Sequence, residues 1–552
     1  MDWEKLLSSE RIRKSQPTDI RNAFESDFGR IIYSPALRRM HDKTQVFPLT
    51  TDDNIHSRLT HSNEVMSLGY TFGIKLSQSK KFQERTGKSE VELLRIIPIL
   101  LQNVCLIHDI GNSPFGHFGE DIISNYFSKL EKEEKEPFYS LNKHQKKDFL
   151  LYDGNAQGLR VLSKLQILND PFGLNLTYAT LASSLKYPNF ELTNKEKEKE
   201  LTKKGELLDV ELIENKKHGI FFSEKEYFEL IVENAGLKIN DRVIRHPLAY
   251  LMEAADSIAY LCMDMEDGFN KGIYSLRDIQ DKFKNKNDKS STKIEICEKV
   301  LNTIDDNFTD DISYKIVKIR IDLIQYLVTL AFKNFEENLE KIENGEYNHE
   351  LIEDDSNEIF ELLKEFSYKI FKTREINNLE STGYSVMVGL LDFYIDFVFN
   401  KNDDKFLNKA KALISNSIID AAIEETLIKT CSNKVEGDLK KLNSQKENFK
   451  DKTNEKLEEK IQKAENKKER FDEIKEKYEE LLKLQVQSVL ESKSDNYKEL
   501  TNLRRELYTL VDPQLNDLDN YYKFRVIVDF ISGMTDQYAL KHYQKISGQR
   551  IN

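Results

Sequence analysis

The near absence of strand-like alternation between apolar and polar residues constrains the fold more than any other feature of the sequence. Few segments alternate in this way, and only ten prolines and 21 glycines interrupt the 552 residues. A chain of this length can bury a large core and could hold several domains. We therefore predict an all-α protein.

Titratable side chains are concentrated in one stretch, CLIHDIGNSPFGHFGED (105–121). An apolar run leads into adjacent His108 and Asp109, and a Gly-Asn-Ser-Pro break separates this pair from His117 and Glu120. Buried groups of this kind need a partner, and a divalent metal is a common partner of imidazole beside carboxylate. We interpret the stretch as half of a metal site. An ordinary helix C-terminus with a capping histidine is about as frequent for the dipeptide alone.

Two further residues complete a candidate ligand set. His61 lies in SRLTHSNEV, whose apolar residues suggest one buried helix face, and Asp256 lies in the largely apolar segment YLMEAADSIAYLCMD. An aspartate in so apolar a helix needs a counter-charge. With His108 and Asp109 these residues form a set of two histidines and two carboxylates that leaves room for water.

His117 and Glu120 are three residues apart on the helix that follows Pro114, so they share a face. A carboxylate beside an imidazole raises the imidazole pKa. Such a histidine can protonate a leaving oxygen, which typically accelerates a reaction by roughly 10²–10⁴. The alternative is an intrahelical pair without a chemical role.

The order of several motifs resembles a known family. The similar stretches are RIIYSPALRRMHDKTQVFPL (30–49), SRLTHSNEV (57–65), the segment around His108, YDGNAQGLR (152–160), SSLKYP (183–188), RHPLAYLMEAADSIAYLCMDMEDG (245–268) and ISGMTDQYA (531–539). The H…HD…D pattern resembles the HD-domain metal phosphohydrolases, and the flanking segments resemble their deoxyguanosinetriphosphate triphosphohydrolase (dGTPase) branch. The resemblance spans most of the chain and implies an HD-domain helical core.

The resemblance also implies roles for individual residues. It makes His61, His108, Asp109 and Asp256 the metal ligands, beside which the spacing of His117 and Glu120 makes them our candidate catalytic pair. It places Gln45 at the sugar 3′-hydroxyl and Arg58 at the triphosphate. The remaining residues implied to bind substrate are Asn155, Lys186, Tyr187, Tyr260, Asp264 and Tyr384. Some relatives carry a histidine near Asn155, where this chain has none. If that histidine is their acid, the role here must fall to His117.

Each implied substrate residue has an ordinary structural alternative. Lys186 with Tyr187 could be an exposed pair. The stretch from Ser34 to Phe47 holds a series of donors that suit phosphates or a sugar edge but could also form a solvated basic helix face: Arg38, Arg39, His41, Lys43 and Gln45. Tyr260 could be plain core, and the match at Tyr384 is looser than the others. The segments 131–149 and 191–217 are dense in Lys and Glu, and we predict solvated loops or exposed helices there.

We predict three parts of the chain: a catalytic core over 1–433, a charged helical insertion over 434–490, and helices over 491–552 that return to the core. Lys and Glu dominate the insertion. Its apolar residues are spaced by threes, fours and sevens: Leu457, Ile461, Ala464, Phe471, Ile474, Tyr478 and Leu481. This spacing indicates a heptad seam in a long helix or an antiparallel helical hairpin, with a solvated single helix as the alternative.

Charge and cysteine usage indicate the setting of the protein. The net charge of −13 gives no general attraction for polyanions, so a nucleotide site requires a local basic patch. The four cysteines show no CxxC spacing, which indicates reduced thiols. The sequence contains no long apolar segment typical of a membrane span. We therefore expect a cytoplasmic protein without a membrane partner.

The main functional hypothesis is metal-dependent hydrolysis of dGTP, or of other dNTPs, to the deoxynucleoside and inorganic triphosphate. Mixed nitrogen and oxygen ligation suits Mn²⁺ or Mg²⁺, with Fe²⁺ or Co²⁺ as alternatives. Relatives imply a homo-oligomer, either hexamer or tetramer, and some bind single-stranded DNA. Two alternatives stay open: another HD-domain nucleotidase or phosphodiesterase, and a non-catalytic protein that senses nucleotide or binds single-stranded DNA.

Overall fold

The structure is a computed structural model. The residues that it describes are 1–14, 20–49, 55–166, 172–204, 206–207, 211–290, 293–306, 311–353, 358–400, 404–448, 455–486 and 495–549. The predicted boundary between 490 and 491 lies outside them.

Helices dominate the described residues, which confirms the all-α prediction. The first half contains α1 (Trp3–Leu6), α2 (Ala23–Ile32), α3 (Pro35–Arg39), α4 (Arg58–Gln78), α5 (Lys80–Thr86), α6 (Glu90–Leu94), α7 (Ile97–Ile107), α8 (Gly116–Lys132), α9 (Lys143–Leu150), α10 (Gly154–Arg160), α11 (Tyr178–Ser184), α12 (Asn194–Lys204) and α13 (Lys225–Ala235). A small antiparallel ribbon of β1 (Lys238–Ile239) and β2 (Arg242–Val243) follows.

The second half continues with thirteen further helices among the described ranges. They are α14 (Pro247–Asn270), α15 (Leu276–Lys289), α16 (Glu295–Asp305), α17 (Ile312–Asn344), α18 (Ile359–Phe371), α19 (Arg374–Val398), α20 (Asp404–Leu413), α21 (Asn416–Glu425), α22 (Leu427–Asn448), α23 (Glu455–Val486), α24 (Asp495–Val511), α25 (Asn520–Ser532) and α26 (Asp536–Ile546).

Three helices form the frame of the molecule: α4 and α7 pack along each other, and α14 packs against both. The approach of α4 to α7 depends on Gly69, where an added Cβ would lie 2.4 Å from Sγ of Cys105. The starts of the helices are well defined. Ser57 accepts a hydrogen bond from the Thr60 amide at the start of α4, and Pro247 opens α14. His61 therefore lies in the first turn of α4.

A second apolar cluster joins α8 and α9 to the helices from α19 onward. The carboxylate of Asp536 helps to hold this cluster against the frame. The carboxylate of Asp536, at the start of α26, accepts hydrogen bonds from the backbone amides of Thr44 and Phe115, each at 3.0 Å. The chain near residue 536 thus holds both the loop after α3 and the entry to α8.

The charged segment 434–490 lies in packed helices as far as it is described. The end of α22 packs against α23, and α23 packs against α24. The predicted seam residues are buried except Ala464, which is half-buried, and Phe471, Ile474, Tyr478 and Leu481 belong to the second apolar cluster. The seam thus packs as a helical hairpin against the rest of the molecule, rather than lying in a solvated single helix.

Across the described part of the chain, no helix has both the length and the apolar character needed to cross a bilayer.

Candidate active site

The end of α7 presents His108 to a buried cluster. Nδ1 of His108 lies 2.7 Å from the carbonyl oxygen of Cys105, and because a carbonyl can only accept, Nδ1 carries the proton. Nε2 of His108 is buried and makes no well-formed hydrogen bond with any described residue. A buried imidazole nitrogen with a free lone pair is an atom prepared to bind a cation.

The structure brings the four predicted ligands together. One ligand atom each from His61, His108 and Asp109 lies within 4.8 Å of the others. Asp256, from the middle of α14, completes the set, since its Oδ1 lies 3.1 Å from Nε2 of His61 and 3.4 Å from Nε2 of His108. Residues separated by up to 195 positions in the chain therefore share one small volume.

The cluster fits a divalent metal. Ligand atoms about 2.0–2.2 Å from one ion lie about 3–4.5 Å from each other, close to the spacing seen here. Two imidazole nitrogens and two carboxylates suit the first-row divalent metals and Mg²⁺. His108 also has the outer-shell hydrogen bond that metal-binding histidines commonly make.

The electrostatics of the cluster keep its carboxylates ionised. Burial alone would raise the pKa of Asp109 and Asp256, but the neighbouring cationic groups hold both pKa values well below the usual range. The imidazole of His108 shows the reverse balance: burial opposes its charge, yet the two carboxylates raise its pKa to about 9. Without another cation Nε2 therefore takes up a proton near neutral pH, and a metal would bind there in exchange for that proton. The site therefore favours bound positive charge.

Two side chains fix the orientation of Asp109. Nη1 of Arg58 donates to its Oδ2 at 2.5 Å, and Nδ2 of Asn112 donates to its Oδ1 at 2.6 Å. Both contacts leave further lone pairs on the carboxylate oxygens. Arg58 is buried, and the start of α8 lies against it, since a Cβ on Gly116 would come within 2.8 Å of its Nη2.

The predicted acid pair forms beside this arginine. Nδ1 of His117 lies 3.1 Å from Oε2 of Glu120; the imidazole side chain is 76% exposed, whereas Glu120 is buried. The hydrogen bond and the charge of Glu120 raise the pKa of His117. An accessible imidazole that holds its proton near neutral pH can serve as an acid toward a bound molecule.

Several of the predicted substrate residues surround the cluster. Nζ of Lys186 lies 3.4 Å from Oε1 of Glu253 and 3.6 Å from Oδ2 of Asp256. Tyr260 is half-buried one turn further along α14, and burial, followed by the negative charges of Glu350 and Asp256, raises its pKa. These side chains place a cation and a hydroxyl beside the ligand set.

The polar side chains of Gln45, Asn155 and Tyr187 have different surroundings. Oε1 of Gln45 is buried without a hydrogen-bond partner among the described residues, so it can accept from a ligand. Nδ2 of Asn155 donates to Oδ1 of Asp153 at 2.8 Å. Tyr187 is buried, with the guanidinium of Arg245 centred 5.8 Å from its ring.

Asp264 and Tyr384 lie apart from these contacts. Asp264 is buried beside the His56–Asp267 ion pair, and burial raises its pKa to about 7. Tyr384 is 54% exposed on α19. The residue before it, Gly383, packs against the Phe115 ring at the entry to α8.

Lys217 is a candidate site residue that the sequence did not single out. It belongs to a segment predicted to be solvated, yet its Nζ lies 2.5 Å from Oδ2 of Asp153 and 6.0 Å from the Tyr187 ring. Burial opposes its charge, but Asp153 and Glu120 raise its pKa. No local pattern distinguishes Lys217 from other lysines in this charged segment; its position depends on tertiary packing.

Comparisons with known proteins identify relatives of this chain. Residues 472–545 match the model of a phosphohydrolase-associated domain. A deoxyguanosinetriphosphate triphosphohydrolase-like protein of Listeria innocua is 34% identical over 72% of this chain and 84% of its own length. A deoxyguanosinetriphosphate triphosphohydrolase of an Enterobacter species is 32% identical over 71% of this chain and 80% of its own length. A protein of that name from Cronobacter sakazakii is 28% identical over 99% of this chain and 97% of its own length.

The helical fold, with its His–Asp pair at the end of a buried helix and further His and Asp residues on two packed helices, defines an HD-domain protein. Together with the relatives it confirms the resemblance noted in the sequence. The chain belongs to the deoxyguanosinetriphosphate triphosphohydrolase family.

Proposed function

We propose that the protein hydrolyses dGTP to deoxyguanosine and inorganic triphosphate with a divalent metal. The main support is the free, buried Nε2 of His108 within a set of two histidines and two carboxylates. Cationic and acidic side chains adjoin this set on several sides, as a triphosphate reaction requires. The relatives' names add the nucleotide and the reaction.

In this proposal His61, His108, Asp109 and Asp256 hold the metal. Mn²⁺ or Mg²⁺ is our first choice, with Fe²⁺ or Co²⁺ as alternatives. When bound, the metal would supply Lewis acidity at the α-phosphate and lower the pKa of a coordinated water. Arg58 and Asn112 keep the Asp109 carboxylate in one orientation.

The chain's own cations balance the charge of the substrate. Arg58, Lys186 and Lys217 neutralise the triphosphate, and the Tyr260 hydroxyl donates to a phosphate oxygen. Because phosphoryl transfer depends on positioning and electrostatics, these groups act mainly by holding the α-phosphate near the His–Asp cluster. Gln45 accepts a hydrogen bond from the sugar 3′-hydroxyl through its unpartnered Oε1.

His117 supplies the proton for the leaving group. Water attacks the α-phosphorus, the bond from phosphorus to the 5′-oxygen breaks, and His117 protonates that oxygen as it leaves. The water gives its surplus proton to solvent, and His117 takes one back from solvent before the next turnover. Glu120 stabilises the protonated imidazole before the reaction. The products are deoxyguanosine and triphosphate, and the oxygen from water belongs to the triphosphate.

A product analysis tests the proposal. The protein is incubated with dGTP and Mn²⁺ in ¹⁸O-labelled water. The products are separated by ion-exchange chromatography, and their masses are determined by mass spectrometry. We expect deoxyguanosine without label and triphosphate with one labelled oxygen. Pyrophosphate with dGMP would contradict the proposal. A panel of the other three dNTPs measures base preference, and His41→Asn, on an exposed surface, is the control for His108→Asn.

A further inference from the structure

A cavity of about 440 Å³ lies behind the turn that carries Asp109. Its wall includes Ile110 and Gly111, the two residues that follow Asp109, together with residues of α3, α21, α25 and α26. Neither the metal-ligand candidates nor the implied substrate residues line it. Its volume falls within the range of small-molecule sites.

Most of the cavity wall is apolar, and its polar groups differ in availability. Asp529 is engaged by Arg160 and Arg525, and Nζ of Lys43 donates to the carbonyl oxygens of Asn112 and Ser532. Arg39 differs from them. Its guanidinium makes no hydrogen bond or ion pair with any described residue, and the residue is exposed, so the charge faces both the cavity and solvent.

The apolar side chains of the wall determine which uncharged group could bind in the cavity. Ile110, Val161, Ile418 and Phe530 line the cavity from four different segments of the chain. An apolar body placed among them would leave water, which is favourable in proportion to the apolar area that it buries. An anionic group on that body would find an unpaired partner in Arg39.

We propose that this cavity binds a small organic anion: an apolar, preferably aromatic body between these side chains, with its carboxylate, sulfonate or phosphate on Arg39. The rim residues Ser417 and Tyr538 add hydroxyl groups that can donate to the ligand. The site is separate from the dGTP site of the proposed function, and its occupation does not require hydrolysis.

The position of the cavity also makes it an effector site. Ile110 and Gly111 lie in its wall between Asp109 and Asn112, whose side chains are hydrogen-bonded to each other. Lys43 ties the same turn to the end of α25. A ligand that contacts this turn therefore changes the affinity of the Asp109 cluster for metal, and the metal changes the affinity for the ligand by the same factor. This coupling rests on the proposed metal site.

Binding is tested with 8-anilinonaphthalene-1-sulfonate, an aromatic monoanion whose fluorescence rises in apolar surroundings. We expect saturable binding of one molecule per chain, weakened about tenfold or more in Arg39→Gln. Arg38→Gln is the matched control because Arg38, like Arg39, is exposed on the same helix and carries the same charge but does not line the cavity. Equal weakening in both variants would overturn the proposal.

Filling the cavity provides a second test. Ala36→Trp places a large side chain in it from α3, and Ser417→Trp does so from an exposed position on its rim, where folding is less at risk. We expect at least one variant with an unchanged circular dichroism spectrum to lose the saturable probe binding. Full binding in a folded Ser417→Trp variant would contradict the assignment.

The coupling has its own readout. The probe is titrated with and without Mn²⁺, while electron paramagnetic resonance reports the free Mn²⁺ in the same samples. A change in probe affinity that depends on bound Mn²⁺ supports the effector role, and equal affinities with Mn²⁺ bound overturn it. Loss of triphosphate release in the product analysis would overturn the proposed function without affecting the probe titrations.

Discussion

The amide of Asn112 holds the carboxylate of Asp109, with Nδ2 2.6 Å from Oδ1, across a tight turn of four residues. The opposite oxygen of Asp109 accepts from Arg58. One candidate metal ligand is thus oriented by a neighbour in its own turn and by a residue of α4. These two contacts fix the plane of the carboxylate and therefore the directions of the lone pairs that remain on its oxygens.

Replacement of Asn112 by Ala should weaken metal binding without removing a ligand. Loss of an outer partner typically lowers metal affinity by about 10–100-fold. Mn²⁺ binding measured by electron paramagnetic resonance checks this, and excess Mn²⁺ should restore part of the activity. Asn377→Ala is the control, because it also deletes one side-chain hydrogen bond, on the exposed face of α19. Equal Mn²⁺ affinity in both variants would contradict the role assigned to Asn112.

Replacement of His108 by Asn should have a larger effect on metal binding. The variant loses the nitrogen that faces Asp256 and Asp109. Loss of an outer partner lowers metal affinity by about 10–100-fold, and we expect loss of this ligand to lower Mn²⁺ affinity further. Calorimetric titration with Mn²⁺ measures the change. His41→Asn, on an exposed surface, should bind as the unaltered protein does. Retained binding in a folded His108→Asn variant would exclude His108 as a ligand.

Replacement of Glu120 by Gln should shift the pH dependence of hydrolysis. Glu120 raises the pKa of His117 by a hydrogen bond and by its charge, so its removal lowers that pKa. If protonated His117 is the acid, activity falls as pH rises through its pKa. The alkaline limb of kcat/KM should therefore move to lower pH. Nuclear magnetic resonance titration of His117 measures the pKa separately, and a lowered pKa with an unmoved alkaline limb would argue against the acid role.

Direct removal of the imidazole gives a complementary expectation. His117→Ala should reduce kcat by roughly 10²–10⁴, the usual contribution of a general acid. Binding of Mn²⁺ should change little, because His117 is not among the candidate ligands. His144→Ala is a suitable control, since it removes another imidazole, one that stacks on Phe190 and is not among the candidate site residues. An unchanged kcat in His117→Ala would require another proton donor.

Replacement of Lys217 by Gln should raise KM for dGTP more than it lowers kcat. The side chain is partly exposed, so we expect about a tenfold effect, near the lower end for a charged hydrogen bond. Steady-state kinetics at constant ionic strength separates the two constants. Lys225→Gln removes the same charge from a surface pair with Glu229 and should leave KM unchanged. The same KM in the Lys217 and Lys225 variants would remove Lys217 from the substrate site.

Two glycines should respond oppositely to alanine. A Cβ on Gly111 would lie 2.1 Å from the backbone nitrogen of Gly158, and a crowded backbone cannot move aside easily, so Gly111→Ala should destabilise the fold by about 1–3 kcal/mol. Gly437 lies inside α22 with open space around it, and its replacement should stabilise by about 0.5–1 kcal/mol. Urea unfolding measures both. A neutral Gly111→Ala would show that the turn after Asp109 can shift.

The helical class and the four-residue cluster could be predicted because their signals are local. His61, His108 and Asp256 are polar residues in apolar helical segments, and burial without a partner would be unfavourable. Such residues are therefore expected to contact one another in the fold. The order and packing of the helices that bring them together do not follow from their burial. The seam around Phe471 and Ile474 could be predicted for the same reason, from spacing alone.

Other parts of the site depend on contacts between distant segments. Lys217 lies in a charged segment, and only the fold places it beside Asp153, 64 residues earlier. In the sequence Asn112 could equally be an ordinary turn residue. Its part in orienting Asp109 follows only from the hydrogen bond between their side chains in the structure. Charge-dense segments carry little periodicity, so sequence patterns do not distinguish a solvated lysine from one that faces a pocket.

The contacts of Asp536 with the amides of Thr44 and Phe115 have a consequence for biosynthesis. Residues 44 and 115 leave the ribosome several hundred residues before residue 536 has been translated, so a nascent chain lacks the carboxylate that joins these two loops. The contact that joins them is thus completed late, after the last helices have docked. Until then the loop after α3 and the entry to α8 lack the carboxylate that they share in the folded protein.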